Sequence, residues 1–446
     1  MKWFLGAILL LLAALLLQSG LLAYSMYVLL AVMVVSRLLA RNWLGKVRAS
    51  RSCDRATAEI GDFLDVAITI HNSGWLPVPW VLLEDMLPRQ ALSQRPPRLH
   101  VKGKRLQIRM LPGGKEVLLG YEIRCDQRGY YQIGPLVMES GDLFGLHRRY
   151  RVDAEPHFVL VYPKVVPLLG YDLASRRPIG DVRLSHRLYE DPTRIAGVRP
   201  YEIGDPLNRV HWRATARTGL LHSKVYEPSS LAGATLVLDF HQDSYPRRGE
   251  PHRSELAVTA AASLANAVFQ LGQQIGLVSN GRDAADRIRQ EGWEHNFRTR
   301  QAARQQSAMA ERSERLQPVV VETRRGVQQF QRIREVLARL ELTDGLTAAQ
   351  LILETASRLP RDATVVALLA DVPVEAALAL GALRRQGLAI SAVLLALDDE
   401  RFEKGYGRLR AEGIMDIRLL HNEAGLPDLC RLQVRRAATY TMQVEL

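Results

Sequence analysis

An acid–base pair is the first chemistry that the residue types suggest. His211 follows Asp205 within one short segment, and an imidazole beside a carboxylate is a common arrangement for proton transfer. A serine or cysteine hydrolase would also need its nucleophile on a tight strand-turn-helix elbow. No serine or cysteine stands in such an elbow beside His211. We therefore predict that the protein is not an enzyme and has no catalytic residue.

The same segment carries the start and stop signals of a helix. Asp205 suits the N-cap position, and Pro206 suits the first helical position. Gly219 suits the helix exit. We predict a helix over residues 206–218. One face of that helix carries what we call the arginine ridge, a row of cations spaced by four residues that consists of Arg209, Arg213 and Arg217.

Two interpretations fit the arginine ridge. In the first, the ridge and an exposed Trp212 form a docking surface for an acidic or aromatic patch of a partner. In the second, the segment is an internal clasp in which Asp205 and Glu227 pair with Arg217 and Lys224. The local spacing of these charges favours the clasp, with Lys224 and Glu227 on a strand after the helix.

Chain length, net charge and cysteine positions limit the kinds of protein to which this segment can belong. Its 446 residues predict two to three domains. The net charge of +12 suits a neighbour of anionic lipid, a nucleic-acid binder or a basic soluble part. The cysteines Cys53, Cys125 and Cys430 are far apart, which indicates neither a disulfide framework nor a zinc site.

The first elements are apolar. Residues 3–36 contain no charged side chain. As one helix they would be roughly 51 Å long at about 1.5 Å per residue, whereas a hydrocarbon core is about 30 Å thick. We therefore predict two spans, 3–17 and 21–36, with a turn at Gln18-Ser19-Gly20 in which Gly20 supplies the flexibility.

Basic residues predict the orientation of this hairpin. The exit of the second span is crowded by Arg37, Arg41, Lys46, Arg48 and Arg51, and the turn is uncharged. The positive-inside rule then puts both ends in the cytoplasm, with the soluble part beside an inner membrane. A cleaved signal peptide is disfavoured because a second apolar run follows at once and no A-x-A-like site precedes it.

The middle of the chain, residues 51–165, has the period of a β-rich module. Alternating β-branched runs separated by turn residues predict short strands over 65–71, 80–85, 107–111, 116–125, 130–138 and 147–152. Strands of this length and spacing are typical of an antiparallel sandwich.

The C-terminal part, residues 233–446, alternates strands and helices. This order predicts a parallel, doubly wound α/β sheet, in which ligands bind beyond the carboxyl ends of the strands. Asp239 and Asp371 each follow a predicted strand there. The stretch 282–325 mixes both charge signs and has few aromatic residues, so we predict a solvated insertion and no specific nucleic-acid partner.

The central segment resembles the signature of the domain of unknown function 58 family. The positions that match it are Gly197, Arg199, Tyr201, Gly204, Asp205, Trp212, Ala214, Thr215, Ala216, Arg217, Gly219, Lys224 and Glu227. Residues 128–131, 141–146 and 161–164 resemble the usual lead-in of the family, as does the paired-span N-terminus. The resemblance covers most of the chain and weakens after about residue 281.

The C-terminal part resembles the von Willebrand factor A-type domain that this family commonly carries. That likeness implies a magnesium site built from D-x-S-x-S, a loop threonine and a later aspartate. Asp239 keeps the first position, and His241 and Asp243 stand where serines are expected. Thr347 and Asp371 would complete the set. Because the serine hydroxyls are missing, we expect a degenerate site without a cofactor, with Mg²⁺ kept as an open alternative and helix capping as the simpler role.

Together these features predict an α+β multidomain protein. Its parts are a transmembrane hairpin with a basic juxtamembrane segment (1–50), a β-sandwich-like module (51–165), the signature segment (166–232) and a von Willebrand factor A-like α/β domain (233–446). The family resemblance implies a non-enzymatic scaffold that works with a MoxR-type AAA+ ATPase, often near a transglutaminase-like protein, in cell-envelope or complex-assembly processes. The alternatives are a metal-dependent hydrolase that uses Asp239, Asp371 and His211, and a binder of anionic lipid or nucleic acid.

Overall fold

The computed structural model describes residues 2–142, 148–169, 190–202, 210–228, 233–246, 248–286, 316–361, 363–395 and 398–430. The chain forms two compact units. The first contains the described parts of Met1–Lys164, Arg282–Arg315 and Arg334–Asp344. The second contains the described parts of Val165–Gly281, Leu316–Ile333 and Gly345–Leu446.

The described helices, in chain order, are α1 Lys2–Leu16, α2 Gly20–Lys46, α3 Arg89–Ser93, α4 Trp212–Thr218, α5 His252–Gln270, α6 Val327–Arg339, α7 Ala348–Thr355, α8 Val374–Arg385 and α9 Asp399–Ala411. The described strands are β1 Val47–Cys53, β2 Thr57–Glu59, β3 Phe63–Asn72, β4 Val78–Asp85, β5 Leu99–Gly103, β6 Leu106–Leu111, β7 Glu116–Cys125, β8 Gly129–Ile133, β9 Leu136–Gly141, β10 Arg148–Ala154, β11 His157–Tyr162, β12 Glu190–Pro200, β13 His222–Pro228, β14 Gly233–Leu238, β15 Gln274–Ser279, β16 Arg282–Asp283, β17 Val319–Arg324, β18 Leu340–Glu341, β19 Ala363–Leu369, β20 Ile390–Leu395 and β21 Asp416–Leu420.

Helices α1 and α2 pack against each other as a hairpin. The predicted break at residues 18–20 is confirmed in position, but Gly20 is the first residue of α2, and the positive φ of 50° belongs to Gln18. By length and composition, one helix among the described residues is able to cross a membrane, over Gly20–Leu38. The apolar stretch of α1, Gly6–Leu16, is shorter.

Helix α2 is longer than the predicted second span, which ended at residue 36. It continues to Lys46 and is followed directly by β1 at Val47. Good helix formers dominate residues 37–46, and no proline interrupts them. Trp43 near the end of α2 is only 7% exposed and joins the core of the β-rich module, so burial also stabilises the extension.

Two four-stranded antiparallel sheets form that module, in the orders β1-β3-β7-β5 and β10-β9-β4-β6. Alternate residues of β3 are buried between them, and their side chains belong to one hydrophobic core with residues of both sheets. A third sheet has the order β2-β11-β8. The apolar residues of the alternating sequence pattern are therefore the ones that face the core, as expected for a side-chain period of two residues.

The prediction of one strand over residues 130–138 is wrong. Two strands occupy this region, and they belong to different sheets: β8 pairs with β11, and β9 pairs with β4 and β10. Gly134 and Pro135 separate them. Gly134 has a φ of 93°, and Pro135 has no backbone N–H to donate to a ladder, so the chain leaves one sheet and enters another at this point.

A buried polar cluster lies inside this module. Nη1 of Arg51 is 2.7 Å from Oδ1 of Asp85, and both side chains are at most 2% exposed. Tyr121 donates its hydroxyl hydrogen to Oδ2 of Asp85 at 2.7 Å. Burial raises the pKa of Tyr121, so its phenol stays protonated and remains a donor. The cluster satisfies charges that would otherwise be costly to bury.

Arg128 closes the C-terminus of α6 within the first unit. Its Nη1 donates to the carbonyl oxygens of Leu337 at 2.7 Å and Leu340 at 2.8 Å, and its side chain is buried. The last carbonyls of a helix have no partner inside the helix, and a cation is favoured beside them. Arg128 therefore supplies both hydrogen bonds and charge at this helix end.

The second unit contains a six-stranded sheet in the order β17-β15-β14-β19-β20-β21. Five strands are parallel, but β17 runs antiparallel to β15. The prediction of a wholly parallel sheet is therefore wrong at this edge, where a strand has only one neighbour and its direction is less constrained. Helices α7, α8 and α9 share a core with one face of the sheet, and α5 packs on β14, β15 and β20.

A candidate docking site on helix α4

Helix α4 is capped by a histidine. The prediction that it begins at Pro206 is wrong, because Val210 still forms a β-bridge with Ser223 and the helix begins at Trp212. His211 is the N-cap, and its Nδ1 accepts a hydrogen bond from the backbone N–H of Ala214 at 3.0 Å. Gly204, Asp205 and Arg209 lie outside the described residues.

The helix exit agrees with the sequence. Gly219 adopts a φ of 72° and donates its N–H to the carbonyl of Thr215 at 2.9 Å. This is the left-handed C-cap that glycine adopts without a steric penalty. The Oγ1 of Thr215 also accepts a hydrogen bond from the backbone N–H of His222 at 3.1 Å, so the helix is held to the start of β13.

A two-stranded antiparallel ribbon supports α4. Strand β12 pairs with β13, including Val198 opposite Lys224. The prediction that a strand carries Lys224 and Glu227 is confirmed. Val210 and Ser223, at the junction between helix and ribbon, are each 2% exposed. Backbone pairing at this junction therefore fixes the orientation of the helix on the ribbon.

The outer face of α4 is open. No residue of the helix is buried, and Trp212 is 69% exposed. Arg213 and Arg217 are exposed one turn apart, and neither has an ion-pair partner among the residues that the structure describes. Leu220, just past the helix, is 70% exposed. We call Trp212, Arg213, Arg217 and Leu220 the α4 face.

The clasp interpretation stays a prediction. Of its four residues, Asp205 lies outside the described residues, and the side chain of Glu227 is likewise not described. Lys224 is half-buried on β13. The ion pair nearest in sequence joins Arg199 to Glu202 at 3.5 Å, with side chains 41% and 80% exposed. Such an exposed pair contributes little to stability.

The position of His211 has a structural explanation, which is helix capping. Because Nδ1 accepts the hydrogen bond from Ala214, its lone pair is used for capping, and the imidazole orders the first turn of α4. A serine, threonine, asparagine or aspartate oxygen usually has this role, which is why the sequence pointed to Asp205 instead.

Asp239 follows β14 and is 1% exposed. Its Oδ1 accepts hydrogen bonds from Nδ2 of Asn280 at 2.9 Å and from the backbone N–H of His241 at 3.2 Å, whereas its Oδ2 has no hydrogen-bond partner among the residues that the structure describes. Burial raises the pKa of the Asp239 carboxyl, because the charged form loses its hydration.

The other three predicted metal residues have local roles. Asp243 lies on a 3₁₀ turn with its side chain 83% exposed. Thr347 is the N-cap of α7 in a capping box with Gln350, and Asp371 accepts a hydrogen bond from the adjacent N–H of Val372 at 2.9 Å. Within the described ranges, no three His, Cys, Asp or Glu side chains cluster as metal ligands would. The metal site predicted at Asp239, Asp243, Thr347 and Asp371 therefore stays a prediction.

Asn280 is the polar residue near Asp239 that sequence reasoning missed. Its Nδ2 also donates to the carbonyl of Leu346 at 2.8 Å, and its Oδ1 accepts from the N–H of Phe240. It follows β15, which pairs directly with β14. A polar side chain at the end of the neighbouring strand was the available signal.

Comparison with known proteins agrees with the sequence resemblance. A family model described as "Protein of unknown function DUF58" matches residues 197–328, a range that includes α4 and Asp239. The likeness to this family is therefore shown over residues 197–328. It is also similar to the uncharacterized protein YeaD of Bacillus subtilis (strain 168), with 27% identity over 282 residues, which is 62% of this chain and 67% of that protein.

Two solved structures show weak likeness to parts of this chain. The CARDB domain of the PF1109 protein from Pyrococcus furiosus is 13% identical, with 26% of this chain and 91% of that chain covered and a TM-score of 0.18. Proximal thread matrix protein 1 from the mussel byssus is 9% identical, with 45% and 46% covered and a TM-score of 0.30. At these scores neither likeness carries an argument.

Proposed function

We propose that the protein is a membrane-anchored interaction protein without enzymatic activity. The hairpin of α1 and α2 is the anchor, with two spans in a bacterial inner membrane and both ends in the cytoplasm. The apolar stretch Gly20–Leu38 supports the anchor. The exposed cations Arg37, at the end of this stretch, and Lys46 and Arg48, after it, support the orientation.

The α4 face is the docking surface in this proposal. The observation that carries it is the exposure of Trp212 at 69% beside two exposed arginines that lack ion-pair partners among the described residues. Tryptophan and arginine are the residue types most enriched among those that dominate binding energy. Two guanidinium groups one helical turn apart suit an acidic protein segment, because each can hold a carboxylate through two hydrogen bonds.

The partner that we propose is a MoxR-type AAA+ ATPase, which follows from the family resemblance. The same resemblance leads us to propose a von Willebrand factor A-like C-terminal domain. The sheet order with its single antiparallel edge strand, β17, is compatible with that architecture. In this arrangement the α/β unit presents the α4 face, and the anchor holds it at the membrane.

Binding of the full-length protein in lipid nanodiscs to the MoxR-type ATPase of its own cell tests the proposal. Trp212→Ala should weaken binding by about thirtyfold, since a central tryptophan contributes about 2 kcal/mol or more. Arg213→Ala with Arg217→Ala should weaken it further, and added salt should reduce that arginine effect because charges are screened beyond about 8 Å at physiological ionic strength.

The matched control is Arg358→Ala with Arg361→Ala. These arginines are also exposed and lie in the same unit, so the change in net charge is the same. Equal binding by both double variants would overturn the α4 face as the docking surface, and no binding by the unaltered protein would overturn the partner. Unfolding of the Arg213 and Arg217 variant alone, seen in its thermal midpoint, would favour the internal clasp.

A further inference from the structure

Four large apolar side chains of the β-rich module are exposed near the same end of its two sheets. Trp75 is 81% exposed, Ile108 64%, Met110 61% and Leu118 72%. They come from one loop and two strands, so they are not a stretch of consecutive sequence. We call them the apolar collar. Several large apolar side chains exposed near one end of a module indicate a surface that something covers.

The loop that carries Trp75 is fixed against the end of β6. Nδ2 of Asn72 donates to the carbonyl oxygens of Leu111 at 3.3 Å and Pro112 at 3.2 Å. A Cβ atom on Gly113 would lie 2.2 Å from the carbonyl oxygen of Trp75, so only glycine permits this approach. The tryptophan is therefore held next to the last residues of β6, where Met110 lies.

The same end of the sheets receives the membrane helix. Asn72 pairs with Val47, the first residue of β1. Ser73 donates both its backbone N–H and its hydroxyl to the carbonyl of Lys46, at 2.9 and 2.7 Å. The collar loop is thus hydrogen-bonded to the last residue of α2.

Two further contacts hold α2 here. The hydroxyl of Ser36 donates to Oδ2 of Asp142, and both residues are buried. Trp43 fills the core of the module, as described above. Leu118 lies opposite Thr69, three residues before the end of β3, which is roughly 10 Å from that end at about 3.3 Å per residue. The collar residues therefore lie at the same end of the module as α2.

Exposed charges around the collar are mostly positive. The cations are Lys46, Arg48, Arg109 and Lys115, and the exposed acid among them is Glu116. Positive side chains beside an apolar rim match an anionic headgroup layer above hydrocarbon. Tryptophan in particular prefers this boundary, where its ring is apolar and its N–H remains wet.

We propose that the apolar collar enters the headgroup region of the bilayer beside α2, so that the β-rich module lies on the membrane instead of standing off it. This proposal rests on the membrane anchoring proposed above. The molecules that contact the collar are anionic lipids. The direct connection between the collar loop and α2 supports the proposal, because an anchored helix brings this end of the module to the membrane surface.

Spin-label accessibility in the full-length protein tests the proposal. Cys53, Cys125 and Cys430 are first replaced by alanine or serine, and a nitroxide is attached at Met110→Cys, with Trp75→Cys as a second collar site. Phe63→Cys is the matched control, since it is exposed and apolar but lies at the opposite end of β3, roughly 30 Å away. Leu29→Cys in α2 reports anchoring itself.

The measurement uses nanodiscs that contain phosphatidylglycerol and compares oxygen, which enters lipid, with a nickel chelate, which stays in water. The two collar labels should be relaxed more by oxygen than by the chelate. The Phe63→Cys label should be relaxed more by the chelate. Lipid-exposed Leu29→Cys together with water-exposed collar labels would overturn the collar proposal alone. A water-exposed Leu29→Cys label would overturn the anchoring and, with it, the proposed function. Collar labels shielded from both reagents would mean that protein covers the site, which also overturns the proposal.

Discussion

Nδ1 of His211 lies 3.0 Å from the backbone nitrogen of Ala214 and accepts its hydrogen bond. The histidine therefore closes the first turn of the helix that carries Trp212 and the two exposed arginines. We therefore expect His211 to affect the proposed docking only indirectly, because Trp212 and the two arginines keep their arrangement only while the first turn of α4 is ordered.

His211→Ala should loosen α4, since loss of a capping side chain costs about 1 kcal/mol. We expect faster hydrogen exchange of the α4 amides, measured by mass spectrometry on the full-length protein, while the core of the β-rich module stays protected. His211→Asn restores an acceptor at the cap and should return exchange close to that of the unaltered protein. Identical exchange in all three proteins would contradict the capping role.

Asp85→Asn should be severely destabilising. The substitution leaves the Arg51 guanidinium buried without a counter-charge, and removing one partner of a buried pair costs about 3–5 kcal/mol. Tyr121→Phe removes only one hydrogen bond to the same carboxylate and should cost about 1 kcal/mol. The measurement is the urea midpoint of the full-length protein in detergent, and a larger effect of Tyr121→Phe would contradict this order.

Arg128→Ala should destabilise the C-terminal end of α6. The carbonyls of Leu337 and Leu340 would lose a charged donor, and hydrogen bonds to charged groups contribute about 1.5–3 kcal/mol each. Thermal unfolding and hydrogen exchange across α6 provide the measurement. Arg98→Ala is a control, because Arg98 lies in the same unit and its Nε donates to the side chain of Gln94 rather than to a helix end; it should leave exchange in α6 unchanged.

The pH dependence of stability should reveal Asp239. Because burial raises its pKa in the folded state above the ordinary value of about 4, the folded protein binds this proton more tightly than the unfolded chain. Stability is then lost as pH rises from about 4 through the raised pKa. The asparagine in Asp239→Asn cannot ionise, so this variant does not lose that stability as pH rises.

We therefore expect the stability of Asp239→Asn, relative to the unaltered protein, to improve as pH rises from acidic to neutral. Asp243→Asn is the control, since that side chain is 83% exposed and should show no such trend. Denaturant midpoints at several pH values decide the matter. Asp239→Asn also tests magnesium binding. A Mg²⁺-dependent rise in the thermal midpoint of the unaltered protein that is lost in Asp239→Asn would support the predicted metal site.

Local patterns predicted elements better than they predicted boundaries. The alternation in β3 and the turn near Gln18 were visible because each depends on neighbouring residues. The start of α4 was not, because Asp205-Pro206 has the chemistry of a helix start, whereas Val210 pairs with Ser223 in a β-bridge and the described helix begins at Trp212. Tertiary pairing overrides local propensity in such cases.

Contacts between distant residues account for what the sequence could not predict. Arg128 and Leu337 meet across 209 positions, and Asn280 reaches Asp239 only because β14 and β15 are neighbours in the sheet. The continuation of α2 beyond the predicted span has a related cause. Arg37 and Arg41 indicated where the span leaves the membrane, whereas the pocket that receives Trp43 is built by strands that come later in the chain.

Helix α2 passes into β1 with no residue between them, from Lys46 to Val47. Hydrogen bonds from Ser36 and Ser73 brace this junction, so no flexible tether separates the apolar helix from the β sheets. A tilt of α2 within a bilayer would thus become a tilt of the sandwich of sheets built on it. Bilayer thickness, which sets helix tilt, would then act as a mechanical input to the angle at which that module meets its surroundings.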